Sequence, residues 1–180
     1  SLSEAQEHNR RALGRVPDHE QFVNGRQGAP LDTAHPDRGT ILFRFRLISD
    51  VLAWILVELI RRSPRGPVGG AGTYREQHLL FADGVEVQLA EALPAASEYA
   101  IINSTPYARK IEIGVTQSGR AFVISAEPRL YDSVSAEAAR RFSNLVRISY
   151  TFRPLQGGYQ VHSKRGSRVM RYPAILVKTR

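Results

Sequence analysis

The side chains best suited to acid–base or metal chemistry near neutral pH are five histidines: His8, His19, His35, His78 and His162. None stands at metal-ligand spacing with another histidine or a carboxylate on the same element, and three fall within the first forty residues. The chain has no cysteine, which removes thiolate nucleophiles, thiolate ligands and disulfides together. No Gly-x-Ser-x-Gly elbow occurs, and no serine has a partner nearby in sequence that would activate it. A hydrolase would need a carboxylate–histidine cluster assembled from distant segments. Gly66-x-x-Gly69-Gly70-x-Gly72-Thr73 is glycine-rich, but it follows a helical stretch and lacks the lysine of a nucleotide-binding loop. It reads as a flexible loop. These residues predict no enzyme, no cofactor and no bound metal.

Charge offers more. Residues 138–180 hold ten of the 25 Lys and Arg and no Asp or Glu, which leaves 15 basic and all 17 acidic residues in 1–137. Such polarity points to an anionic partner for the C-terminal end, either nucleic acid or an acidic protein surface. Lys164, Arg165, Arg168 and Arg171, clustered in one basic loop or hairpin tip, are the candidate contacts. The segment shows no helix-turn-helix, zinc-finger or RNA-recognition signature, so affinity for nucleic acid would come from counterion release.

The elements that must position these groups follow from periodicity. With 42% apolar and 23% charged residues, the chain predicts a globular domain rather than wholesale disorder. Its N-terminal stretch is polar, predicting no secretory leader, and the apolar run Val51–Ile60 is too short to span a bilayer and carries Glu58. Residues 1–39 read as an extended N-terminal arm with a short helix at Ser3–Leu13. Apolar residues are too sparse from Gly14 to Gly39 to support burial, so this part orders only against a neighbour. Thr40–Leu47 alternates like a half-buried strand. Ser49 then caps a helix with Val51, Leu52, Ile55, Leu56 and Leu59 on its inner face and Trp54 at its edge, stopped by Ser63-Pro64. A strand over Thr73–Ala82 turns at Asp83-Gly84 into Val85–Leu89, and Glu98–Asn103 makes another. Val115–Gly119 reads as a loop and Arg120–Ser125 as a strand. Leu130, Val134, Ala138 and Phe142 recur every fourth residue, giving a helix capped by Asp132 or Ser133. Leu145–Phe152 alternates up to Pro154, Gln156–Gly158 turns, Tyr159–His162 returns, and Pro173–Lys178 closes the chain. The sum is an α+β fold: a single domain over 40–180 with a mostly antiparallel sheet and two main helices packed on one face.

One stretch stands apart, Asn103-Ser-Thr-Pro-Tyr-Ala-Arg-Lys-Ile-Glu-Ile-Gly114. Read physically, Ser104 or Thr105 caps a short helix, Pro106 takes its first position and Gly114 ends it left-handed. Glu112, close to Arg109 and Lys110, reads as an ion-paired structural glutamate.

The stretch resembles the Asn-x-x-Pro-Tyr-Ala-x-x-x-Glu-x-Gly signature of the neck and tail-completion proteins of long-tailed bacteriophages. Asn103, Pro106, Tyr107, Ala108, Glu112 and Gly114 are the matching positions. The likeness extends through Ile41–Phe45, Asp50–Ile60, Ser63-Pro64, Gly72-Thr-Tyr-Arg75, Asp83-Gly84, Ala136–Arg141 and Pro173–Ile175, in the family's order. Two departures concern loops: Ser-Pro-Val appears as Ser63-Pro64-Arg65, and the glycine-rich loop after the motif is reduced to Gly119. The resemblance implies a virion protein without catalytic activity, assembled in the host cytoplasm. It would sit in a homo-oligomeric ring, hexamer or dodecamer, between the head connector and the tail-terminator or tail-tube proteins. Contact with double-stranded DNA crossing the ring would be transient, and no membrane is involved. The alternative is a basic nucleic-acid-binding module acting outside any virion.

Overall fold

The computed structural model describes residues 2–14, 16, 19–45, 47–64, 74–90, 93–114, 129–155, 160–163 and 166–179. The chain forms two compact units, Ser1–Asp50 and Val51–Arg180.

The first unit opens with α1 (Leu2–Leu13), where Glu7 pairs with Arg10 at 3.3 Å and Arg11 at 3.2 Å, one turn away. Gly14 ends it with φ 79° and an N–H bonded to the Arg10 carbonyl. β1 (His19–Val23) then pairs antiparallel with β2 (Arg26–Gln27) on one side and β3 (Ile41–Phe45) on the other. Residues expected to form an extended arm over 1–39 hold a helix and two strands that pair with each other and with β3, and the compact unit they belong to runs to Asp50. The physical reason is hydrogen bonding rather than burial. Asn24 and Gly25 both take positive φ (51° and 78°), the geometry of a tight hairpin turn. The Asn24 side chain accepts from the Thr40 N–H at 3.0 Å and donates to the Thr33 carbonyl at 3.3 Å, while Gln21 Nε2 reaches the Ala29 carbonyl at 2.7 Å. Apolar burial is slight, as the composition implied: Ile41 and Leu42 of β3 are exposed and Val23 is the buried apolar residue of β1.

In the second unit the main helix is α2 (Ile48–Arg62), which begins one residue before Ser49, so that serine lies inside its first turn and not at its cap. Val51, Leu52, Ile55 and Leu59 are buried as the helical spacing requires, and Trp54 meets Phe142 edge-on with ring centroids 5.5 Å apart. The expected long strand from Thr73 is shorter, because Tyr74–Glu76 forms a 3₁₀ turn ahead of β4 (His78–Ala82). Asp83 and Gly84, both at positive φ, turn the chain into β5 (Val85–Val87). β6 (Tyr99–Asn103), the short helix α3 (Ala108–Ile113), α4 (Leu130–Arg141) and β7 (Val146–Pro154) follow. β8 (Gln160–Ser163) and β9 (Gly166–Val169) form a separate two-stranded hairpin that leads into β10 (Arg171–Thr179).

The five-stranded sheet has the order β5-β4-β6-β10-β7 and every neighbouring pair is antiparallel, so the α+β class holds. β6 and most of β10 are buried residue after residue, which explains why Tyr99–Ile102 and Ala174–Val177 read as continuous apolar runs. Pro173 lies on a central strand at a place that tolerates it: β10 pairs with β6 only from Ala174 onward, and Pro173 faces Phe152 alone. Register puts His78, Leu80, Ile101, Asn103, Ile175 and Tyr150 on one face, and this is the face that α4 and the end of α2 meet through His78. The loops expected at Arg65–Gly72, Val115–Gly119 and Gln156–Gly158 and the strand at Arg120–Ser125 lie outside the described residues. Among those described, no helix is long and apolar enough to cross a membrane.

Ile175 sits in the middle of this sheet with no exposure. Ile175→Ala should cost about 3–4 kcal/mol in urea unfolding through transfer and cavity terms. Val85→Ala, at a side chain 68% exposed, should change stability by less than about 0.5 kcal/mol.

Candidate functional site

The stretch from Asn103 to Gly114 works as a joint. Asn103 ends β6 fully buried, and its Oδ1 accepts from the Thr105 N–H at 3.1 Å and the Thr105 hydroxyl at 2.7 Å. Its Nδ2 donates to the Tyr74 carbonyl at 2.7 Å, which fixes the orientation of the amide. This Asx turn reverses the chain, so α3 starts at Ala108 with Tyr107 at its cap and no side-chain capping bond. Ser104 and Thr105 are therefore not the caps expected, and exposed Pro106 precedes the helix instead of opening it. Ser104 instead donates to Gln77 Oε1 at 2.7 Å. Ala108 has no exposure, as the close packing of α3 on β10 demands. Gly114 ends α3 at φ 75° with its N–H on the Lys110 carbonyl, the left-handed stop the sequence required.

Glu112 is the centre of the joint and structural as expected, but its partners are backbone amides and a phenol and not Arg109 or Lys110. It is 1% exposed, whereas Arg109 and Lys110 point outward and the Arg109 guanidinium lies 4.8 Å over the Phe152 ring. The Glu112 carboxylate accepts from the Tyr131 N–H and the Asp132 N–H, each at 3.0 Å, and from the Tyr150 hydroxyl. Those two amides are free donors at the start of α4. Arg129, at φ 59°, supplies the left-handed turn into the helix and no side-chain cap, so neither Asp132 nor Ser133 performs the capping that spacing suggested. The cap arrives from another helix. Burial pushes the Glu112 pKa up, and the two amides and Tyr150 pull it down. Burial, then the nearby Glu112 charge, raises the Tyr150 and Tyr74 phenols.

Beside it lies a polar cluster that sequence spacing did not reveal. His78 Nε2 is 2.8 Å from Ser63 Oγ, and His78 Nδ1 is 2.7 Å from the Tyr131 hydroxyl. Ser63 Oγ also bonds to the Leu59 carbonyl at 2.6 Å, where it must donate. The proton order follows: Tyr131 O–H donates to Nδ1, Nε2–H donates to Ser63, and Ser63 donates to Leu59. The trio has the spacing of nucleophile, base and orienter with the opposite proton order, because the imidazole offers Ser63 a proton where a general base would take one. Burial lowers the His78 pKa to about 4, keeping the ring neutral. Tyr74, 2% exposed, stacks edge-on against His78 at 5.4 Å, and its hydroxyl has no hydrogen-bond partner among the described residues. One sequence signal was available: His78 shares its inward face with Leu80 and Ala82 on β4.

On the opposite face of the sheet a cleft of about 420 Å³ is floored by Phe81, Ala100 and Ile102 and rimmed by Asp83, Glu98 and Arg153. Its carboxylates are engaged: Asp83 accepts from the Ser97 and Glu98 N–H groups, and Glu98 pairs with Arg153 at 3.1 Å and Lys178 at 3.2 Å. No group of three His, Asp or Glu among the described residues is arranged to hold a metal ion.

The basic candidates are dispersed in role. Lys164 and Arg165 lie outside the described residues. Arg168 is on β9, opposite Val161 on β8. Arg171 opens β10, and its guanidinium donates to the Phe152 carbonyl at 3.1 and 2.7 Å, tying the strand ends together. Comparison with protein-family models, with curated proteins and with solved structures finds no match.

Glu112→Ala should destabilise the fold by about 3 kcal/mol, since it leaves two amides and a phenol buried without an acceptor. Glu112→Gln keeps one acceptor oxygen but turns an NH₂ toward a donor, and should cost about 2 kcal/mol. Denaturant unfolding together with amide exchange at Tyr131 and Asp132 measures both.

Proposed function

We propose that this chain is a structural virion protein of the neck of a long-tailed bacteriophage, part of a ring that joins the head connector to the tail around the DNA channel. The observation that supports this reading is the division of labour among its distinctive residues. Asn103, Ala108, Glu112 and Gly114 of the signature are committed to an internal joint between β6, α3 and α4. The acid-free stretch 138–180 instead runs into the β8–β9 hairpin, which is separate from the five-stranded sheet. A rigid joint that carries a charged extension suits work by contact.

A closed ring is built from head-to-tail interfaces, so each subunit must present two different surfaces. The unit Ser1–Asp50 and the basic hairpin are the two proposed. The proposed partner of Lys164, Arg165 and Arg168 is an acidic surface of the adjacent ring, because a lumen lined with so many cations would hold DNA and impede its passage. Docking on protein also accounts for a basic set without base-reading machinery.

The test is assembly. Co-expressed with its adjacent neck protein, the chain should run as a ring of six or twelve subunits by light scattering and electron microscopy. The triple reversal Lys164→Glu, Arg165→Glu, Arg168→Glu should leave the circular dichroism spectrum unchanged and abolish the joining of heads to tails. Arg171 is left out because it holds the Phe152 carbonyl. A monomer that binds duplex DNA, with a log–log salt slope of about −0.9 for each phosphate contacted, and shows no affinity for the neck protein would instead establish the nucleic-acid-binding alternative.

A further inference from the structure

We infer that His78 is an acid-sensitive latch that fastens the C-terminal end of α2 to α4 and β6 within the second unit. The inference is independent of the neck reading and rests on how the imidazole is surrounded. Its Nε2–H holds Ser63, the residue that closes α2 through both its N–H and its hydroxyl on the Leu59 carbonyl. Its Nδ1 holds the Tyr131 hydroxyl in the first turn of α4. Arg62 also ties α2 to α4, through Glu58 and Glu137, while His78 is what joins the Ser63 end of α2 to the first turn of α4.

The groups facing the ring leave no room for a second proton. From α4 comes the Tyr131 O–H, 2.7 Å from Nδ1. From β6 comes Asn103 Nδ2, 3.4 Å from the same nitrogen. Asn103 cannot reverse its amide, because Oδ1 is held by the Thr105 N–H and Nδ2 by the Tyr74 carbonyl. From the 3₁₀ turn comes the edge of Tyr74, and from the end of α2 the Ser63 hydroxyl. The titratable groups among these are Tyr74 and Tyr131, both phenols that burial keeps neutral, and no carboxylate contributes to the balance at His78. A proton added to Nδ1 would therefore point at two donors, with no anion to compensate it. Breaking the contact and letting the ring reach water is the remaining outlet.

The direction follows by linkage. A histidine whose folded pKa lies near 4, against an ordinary 6.5, holds the closed form fully above pH 6.5. It loses that advantage as the pH falls toward 4.

Amide exchange on the full chain tests this. Corrected for intrinsic rates, protection of Leu59–Ser63 should fall about 30-fold between pH 7.5 and pH 5. In His78→Gln, whose amide can accept from Tyr131 and donate to Ser63, protection should stay level. A fall of less than about threefold in the parent protein, or an equal fall in the variant, overturns the proposal. Should His78→Gln fail to fold, imidazole NMR of the parent protein decides. An Nε2–H tautomer titrating near 4 supports the latch; an Nδ1–H tautomer, or a midpoint near 6.5, refutes it.

Discussion

A single buried carboxylate sets the geometry of the second unit. Helix α4 begins without a cap of its own: Arg129 turns the chain left-handed and leaves the first amides of the helix facing inward. Glu112 meets two of them from α3, and the partial positive charge at the helix start favours an anion there. The same carboxylate takes the Tyr150 hydroxyl from β7. Helix, helix and strand are thus registered on one side chain, and a backbone bond from the Arg129 N–H to the Glu112 carbonyl adds a further tie between the two segments. Burying that charge opposes stability, which is why so many donors converge on it.

The same accounting of donors and acceptors extends to Asn103, His78 and Ser63. Asn103 satisfies its amide on Tyr74 and Thr105, and His78 and Ser63 pass their protons along to the Leu59 carbonyl. Three of these bonds link segments far apart in the chain: α2 with β4, β4 with α4, and the 3₁₀ turn with β6. An apolar core of Leu52, Ile55, Ile101 and Ile175 supplies the driving force. It is indifferent to small rotations of a helix, whereas the directional bonds fix one arrangement.

What the sequence disclosed divides along the same line. Elements whose burial is periodic were legible: the inner face of α2, the fourfold spacing of α4, the alternation of β7 and the continuous runs of β6 and β10. The Asp83-Gly84 turn and the Gly114 stop were legible because positive φ restricts the residues allowed. The roles of Glu112, Ser63 and His78 were not, since nothing local distinguishes a carboxylate that caps a distant helix from one that pairs with its neighbours. The first unit follows a different rule. Apolar residues are sparse there and periodicity is silent, yet Val23-Asn24-Gly25-Arg26 carries the Asn-Gly signal of a two-residue hairpin, and that turn organises β1 and β2.

The disposition of carboxylates bears on the partner as well. Within the second unit Glu58 faces Arg61 and Arg62, Glu137 faces Arg62, Asp132 faces Arg129, and Glu98 takes Arg153 and Lys178. Glu112 and Asp83 are occupied by backbone amides. Among the described residues of 138–180, Arg153 and Lys178 pair with Glu98, and the stretch contains no acid of its own. The β8–β9 hairpin places Arg168 opposite Val161, and Lys164, Arg165 and Arg171 stand near it in sequence. A two-stranded hairpin of four residues a side has little core of its own. On the proposed reading, counter-charge brought by an acidic partner would stabilise the hairpin and its contact in the same step.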